Sequence, residues 1–146
     1  TLFRSSAASD VYKRQIKNDV HFRNHKIELE VLNDEAATVN ENVFVRSITN
    51  ILNNAIDKAG RIIIKAEVSS KMIKINIHDN GPGIDDEEKA NVFKPFYRID
   101  KSRNQNKTNS GLGLATTKSL LGSINGKISL HDSYLGGLEV AIVIQN

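Results

Sequence analysis

The chain contains no cysteine, which excludes disulfide frameworks, thiolate zinc sites and cysteine nucleophiles. It has no long apolar run: the longest, Val140 to Ile144, falls far short of the roughly 20 residues a membrane-spanning helix needs. It also lacks a strong charge of one sign. Its 20 Lys and Arg stand against 17 Asp and Glu, a net charge of +3. What is present, 146 residues with 39% hydrophobic and 25% charged content, suits one globular domain with one sizeable core.

The basic excess is unevenly placed. Residues 1–15, TLFRSSAASDVYKRQ, have neither helical nor strand periodicity and no signal-peptide hydrophobic region. Arg4, Lys13 and Arg14 against Asp10 give this stretch +2, leaving only +1 for the other 131 residues. The stretch resembles a translated sequencing adapter, so we expect 1–15 to be a non-native leader, with an ordinary basic helix end as the alternative. Residues 16–25 are then expected to be the remnant of a linker, and 26–146 the domain proper. On this division the charge gives no argument for nucleic acid.

Alternation from Lys26 to Leu32, with Ile27, Leu29 and Val31 on one side, predicts a half-buried strand. From Glu41 to Ala59 the apolar residues Phe44, Ile48, Ile51, Leu52, Ala55 and Ile56 recur every three or four positions, predicting a helix capped by Asn40 and ended by Gly60. Arg61 to Val68 and Met72 to His78 form a predicted hairpin, and the acidic stretch Asp85 to Asn91 a helical turn or two. Asp100 to Ser110 offers eleven residues without an apolar side chain and is expected to be a mobile loop. A helix from Gly111 to Ile124, ended by Asn125-Gly126, and a last hairpin across Ser133 to Gly137 complete the pattern. The economical architecture is an α+β, two-layer sandwich.

Four local features carry chemistry. Asn50 and Asn54 lie four apart on one helix face, with Asp57 a turn further on, and carboxamide oxygens suit a hydrated Mg²⁺ shared with phosphates. The bland alternative is a polar stripe facing water. Asp79-Asn80-Gly81-Pro82-Gly83 follows a strand, so its carboxylate can accept a bond from an exocyclic amine while glycines let the backbone approach a flat ring. Any turn uses the same residue types. Phe93-Lys94-Pro95-Phe96-Tyr97-Arg98 sits at the mouth of the polar loop, where Arg98 suits a phosphate and Phe93 and Phe96 read mostly as core packing. Gly111-Leu112-Gly113-Leu114 opens a helix whose free N–H groups can receive an anion, with Lys101, Arg103 and Lys107 just before it.

In this order the four features resemble the boxes of the catalytic ATP-binding domain of sensor histidine kinases, within the ATPase family shared with gyrase, heat-shock chaperones and mismatch-repair proteins. The resemblance runs from about Lys26 to Gln145. Asn50 to Ala55 looks like the N box and Asp79 to Gly83 like the first glycine box. Phe93 to Arg98 is similar to the phenylalanine box, and Gly111 to Ala115 matches the second glycine box. The resemblance implies a Bergerat-type sandwich, a mixed and mostly antiparallel sheet on about three helices. It implies that Asn50 and Asn54 position Mg²⁺ and the phosphates of ATP, that Asp79 binds the adenine amino group, and that Gly81 and Gly83 shape the purine pocket, with Ile84 also among the nucleotide-binding residues. Arg98 would approach the terminal phosphate and Gly111 and Gly113 would close over the phosphates, with Tyr97, Leu112 and Leu114 as further nucleotide-binding residues and Asn50, Asn54 and Arg98 forming the catalytic set. Many sensor kinases have a basic residue three positions after the second N-box asparagine. Here Asp57 stands there and Lys58 follows, and the resemblance does not choose which faces the nucleotide.

Gyrase-type relatives use a carboxylate base four residues before the magnesium-binding asparagine. Asn50 occupies that position and has no useful basicity, which speaks against a dedicated hydrolase. The expected activity is a protein histidine kinase, donating the γ-phosphoryl group to an imidazole on a helical dimerisation domain. None of the four histidines, His21, His25, His78 and His131, has the helical context of a phosphoacceptor, and all read as ordinary polar or boundary residues. That domain is therefore expected to be absent, and the chain alone to be inactive and monomeric. The intact kinase would serve a response regulator from the cytoplasm, without direct membrane contact by this part. The alternatives are an anti-sigma-factor-type serine kinase and a nucleotide-binding module without phosphotransfer.

Overall fold

The computed structural model describes residues 2–4, 26–33, 35–97 and 113–146. Three-residue strands open the description: β1 (Leu2–Arg4) pairs antiparallel with β3 (Ala36–Thr38). Neither strand has a sequence pattern long enough to predict it. The rest of 1–15, and all of 16–25, lie outside the described residues.

The main sheet has five strands in the order β2–β4–β5–β7–β6. They are β2 (Lys26–Val31), β4 (Arg61–Val68), β5 (Met72–Asp79), β6 (Gly126–Asp132) and β7 (Leu138–Gln145). β2 runs parallel to β4, because helix α1 (Glu41–Ile56) carries the chain back across the sheet between them. All other pairs are antiparallel. The expected mixed, mostly antiparallel sheet is the one observed. Against the expected three or so helices, the described residues contain two, α1 and α2 (Gly113–Ser123), plus a 3₁₀ turn at Asn91–Phe93.

The helix pattern read from the sequence has its physical basis in the core. Phe44, Ser47, Ile48, Ile51, Leu52, Ala55 and Ile56 form the buried face of α1. Asn40 caps it by accepting a bond from the Val43 N–H at 3.2 Å. The two buried hydroxyls of the helices are satisfied locally, Ser47 by the Val43 carbonyl at 2.8 Å and Thr117 by that of Gly113 at 2.7 Å. Register then sorts the strands. Ile62, Ile64, Ala66 and Val68 pair with Asp79, Ile77, Ile75 and Ile73, and all of these are buried. On the opposite face Glu28 meets Lys26 and Arg61 at 3.5 Å, and Lys65 meets Glu30 at 3.8 Å.

This topology gathers one end of the sandwich. α1 runs into β4 at the same end where β5 finishes and β7 begins, since Ile62 pairs with Asp79 and His78 with Glu139. The C-terminal turns of α1, the turn after Asp79 and the start of β7 therefore converge.

One sequence expectation is corrected in this region. Phe96 is not core: it is 72% exposed. Pro95 and Phe96 form the centre of a turn closed by the Tyr97 N–H on the Lys94 carbonyl at 3.1 Å, with Phe96 at a φ of +63°. Proline followed by a positive φ is a type II turn, and Phe96 at its third position is set out from the core. Phe93, as expected, packs partly buried against the core.

Candidate functional site

Asp79 is the centre of the convergent end. Its side chain is buried, and its Oδ1 accepts two backbone bonds, from Gly81 N–H at 2.9 Å and from Leu138 N–H at 3.1 Å. The first closes the local turn and the second ties β5 to the mouth of β7. Both bonds described for the carboxylate end on Oδ1, and a carboxylate has acceptor capacity on its second oxygen as well.

Glycines pack around that carboxylate at distances no other residue permits. A Cβ at Gly81 would stand 2.9 Å from the Lys58 carbonyl oxygen and 3.2 Å from Asp79 Oδ1. A Cβ at Gly137 would stand 2.2 Å from Asp79 Oδ1 and 2.6 Å from both the Asp79 carbonyl oxygen and the Gly81 nitrogen. Gly83 adopts a φ of +71°, which lets the turn reverse. Asn80 fixes the turn to the helix–strand junction, its Oδ1 accepting from Gly60 N–H at 3.0 Å and Arg61 N–H at 2.9 Å.

The second convergence joins the two helices. A Cβ at Gly113 would lie 3.3 Å from Nδ2 and 3.6 Å from Oδ1 of Asn54, so the start of α2 is set against the carboxamide of α1. Asn50 and Asn54 are half-buried, whereas Asp57 and Lys58 are exposed at the helix end. Lys58 meets the turn through its backbone carbonyl. Ile84 and Leu114 pack partly buried against the core. Arg98, Gly111 and Leu112 lie outside the described residues, as do Lys101, Arg103 and Lys107.

Tyr97 packs against the core, and its hydroxyl donates to the Glu88 carboxylate, which raises its pKa above the ordinary phenol value. The segment carrying Glu88 is in turn held by Lys89, which bonds Asp132 of β6 at 2.7 Å and also Asp86. Those two carboxylates raise the Lys89 pKa, Asp132 first. Among the described residues no three His, Asp or Glu side chains converge on a metal position.

Sequence reasoning missed two parts of this end. The Gly136-Gly137 pair read only as hairpin chemistry, although Gly137 and Leu138 form one wall around Asp79. His78 read as a boundary residue, yet it is buried, with Nδ1 3.0 Å from the Ser133 hydroxyl and Nε2 3.6 Å from Glu139. Burial lowers its pKa, with Glu139 opposing. No sequence signal identifies either role, because each depends on β5 and β7 being neighbours.

Comparison with known proteins places the chain in a family and a fold. Residues 39–146 match the model of the histidine kinase-, DNA gyrase B- and HSP90-like ATPase family. The sensor histidine kinase CpxA of Escherichia coli (strain K12) is 34% identical over 104 residues, 70% of this chain and 23% of that protein. The chain thus spans about a quarter of the length of such relatives. Among solved structures, the mycobacterial sensor histidine kinase MprB superposes with a TM-score of 0.77 at 20% identity, covering 99% of this chain and 97% of that one. The ATP binding domain of PrrB from Mycobacterium tuberculosis gives 0.72 at 20% identity, covering 100% and 96%.

Proposed function

This chain belongs to the histidine kinase-, DNA gyrase B- and HSP90-like ATPase family, and from that premise we propose that it binds Mg-ATP as the catalytic domain of a two-component sensor histidine kinase. In this reading it donates the γ-phosphoryl group to a histidine on a separate helical dimerisation domain. A nitrogen of that imidazole attacks the γ-phosphorus, the bond to the bridging oxygen breaks, and ADP leaves with that oxygen.

The observation that carries the proposal is the Asp79 carboxylate, buried and held through Oδ1, with acceptor capacity on Oδ2 as well, beside a glycine-lined turn. Oδ2 accepts from the adenine amino group, and Gly81 and Gly83 leave room for the ring. Asn50 and Asn54 would hold Mg²⁺ through carboxamide oxygens, a donor set suited to an ion that keeps several waters and takes phosphate oxygens. The ion supplies charge neutralisation at the phosphates. Gly113, against Asn54, lets the N-terminal end of α2 approach them. Arg98 and Gly111 are assigned to the phosphates as well, and Tyr97, Leu112 and Leu114 to the nucleotide without a further division of roles. With a carboxamide at Asn50 the chain has no base there to deprotonate water, so it holds ATP for an external nucleophile rather than hydrolysing it. Positioning and charge stabilisation then supply most of the catalysis. The response regulator is reached through the intact kinase, and the domain works in the cytoplasm as a monomer until joined to its dimerisation partner.

The test is calorimetric titration with Mg-ATP. Loss of one charge-assisted bond, worth about 1.5–3 kcal/mol, predicts about 10- to 150-fold weaker binding by Asp79→Ala. Asp79→Asn, which keeps an acceptor for the two N–H groups, separates the ligand bond from the fold. Unchanged affinity in a folded Asp79→Asn protein would sink the adenine assignment.

A further inference from the structure

Asp79 and His78 are neighbours in β5, so they project to opposite faces of the sheet. His78 reaches the first residue of the five-residue connection between β6 and β7, and Asp79 the residue that follows its last. On the inner face Asp79 Oδ1 accepts from Leu138 N–H at 3.1 Å. On the outer face His78 Nδ1 lies 3.0 Å from the buried hydroxyl of Ser133. The connection is closed on itself by Ser133 N–H on the Gly137 carbonyl at 2.8 Å and Gly136 N–H on the Ser133 carbonyl at 3.0 Å. It behaves as one small unit gripped at both ends by consecutive residues of one strand.

The neighbours of the imidazole, an acceptor-only carboxylate at Nε2 and a hydroxyl at Nδ1, suit one tautomer. Ser133 Oγ accepts the Leu135 N–H at 3.1 Å, so its own proton is free to go to Nδ1. Nε2 then carries the ring proton toward Glu139, whose Oε1 also accepts from Asn76 Nδ2 at 2.8 Å. Tyr134 covers the ring with centroids 4.7 Å apart, and Lys65 stands 5.0 Å from the Tyr134 centroid. The tolerance on the inner face is small, since Gly137 already sits where even one added carbon would strike Asp79.

We infer that His78 is a positioning residue for nucleotide-base recognition: through Ser133 it sets the β6–β7 connection, and thereby the Leu138 N–H and Gly137 wall that orient the Asp79 carboxylate. The inference rests on the adenine reading of Asp79. The ligand feature it governs is the base, not the phosphates, which are placed at the other side by Asn50, Asn54 and the start of α2.

The experiment compares affinity for Mg-ADP with affinity for magnesium tripolyphosphate, which has no base, in the full chain, with melting temperature recorded beside each. His78→Gln cannot place an acceptor at the Nδ1 position, and Ser133→Ala removes the donor. Each is expected to weaken Mg-ADP about three- to tenfold while leaving tripolyphosphate unchanged. His78→Asn, whose amide reaches the Nδ1 position, is expected to restore most of the loss. The double variant His78→Gln/Ser133→Ala should be no weaker than the weaker single one, since both remove the same bond. Equal weakening of both ligands, or none in a folded Ser133→Ala protein, overturns the inference. Should His78→Gln fail to fold, Ser133→Ala alone decides by the same ratio. If Asp79→Asn leaves the ADP-to-tripolyphosphate ratio unchanged, the adenine reading itself falls. If Asp79→Asn collapses that ratio and Ser133→Ala does not move it, only the positioning role of His78 falls.

Discussion

Replacing Gly137 with alanine adds a single carbon at the tightest point of the molecule. That Cβ would stand 2.2 Å from Asp79 Oδ1 and 2.6 Å from two backbone atoms, the Asp79 oxygen and the Gly81 nitrogen. The side-chain oxygen can swing aside, but the backbone atoms belong to a strand end and a turn already tied to Gly60 and Arg61 through Asn80. The β6–β7 connection must therefore withdraw, and the 3.1 Å bond from Leu138 N–H to Asp79 goes with it. Overpacking of this kind costs about 1–3 kcal/mol, and a hydrogen bond to a carboxylate about 1.5–3 kcal/mol. Withdrawal relieves the clash at the expense of the bond, so the two overlap rather than add, and about 1.5–3 kcal/mol is the expected net loss. For a chain of this size that lowers Tm by roughly 5–15 °C. Urea unfolding with an unchanged m-value measures the loss directly, and Mg-ATP titration on the folded protein should show about tenfold weaker binding or worse. Gly122→Ala is the control: nothing lies within 4 Å of its Cβ on the exposed side of α2, so it should gain about 0.5–1 kcal/mol from helix propensity. A Gly137→Ala protein with the wild-type Tm and wild-type nucleotide affinity would refute the close-packed account of Asp79.

Three other outcomes are expected. Asn40→Ala removes the cap on Val43 N–H and should cost about 1 kcal/mol in urea unfolding, with no change in nucleotide affinity after correction for the folded fraction. Burial depresses the His78 pKa below its ordinary value of about 6.5, so near that pH the unfolded chain binds more protons than the folded one. Stability contributed by neutral His78 is thus complete above pH 6.5 and is lost as pH falls through the lowered value; His78→Asn should flatten that part of a Tm-versus-pH curve, and an unaltered curve would contradict the assignment. Chelating magnesium with EDTA should weaken ATP binding in the wild type, and Asn54→Ala should remove most of that magnesium dependence.

Much of the fold is legible in the sequence because its signals are local. The period of α1, the Asn40 cap, the alternation of β5 and the Asn125-Gly126 stop each depend on residues within a few positions of one another. Asn125 does take a left-handed φ of 60° at the end of α2. The strands β1 and β3 were illegible, since three residues carry no period. Phe96 misled because an aromatic residue next to Phe93 reads as core, whereas the Pro95-centred turn decides its direction.

The site divides along the same line. Sequence alone determined the chemistry available: carboxamides four apart on a helix, a carboxylate at a strand end followed by glycines, and a glycine-bearing helix start. These are local patterns, and their order carries the family resemblance. Only the tertiary structure decided what surrounds the carboxylate. The β5–β7 pairing brings Leu138 and Gly137, almost 60 positions away in the chain, against Asp79. It also buries His78 against Ser133 on the opposite face. Such contacts follow from strand order, and strand order is set by the packing of the whole sheet on α1 and α2 rather than by any pattern within β5 or β7.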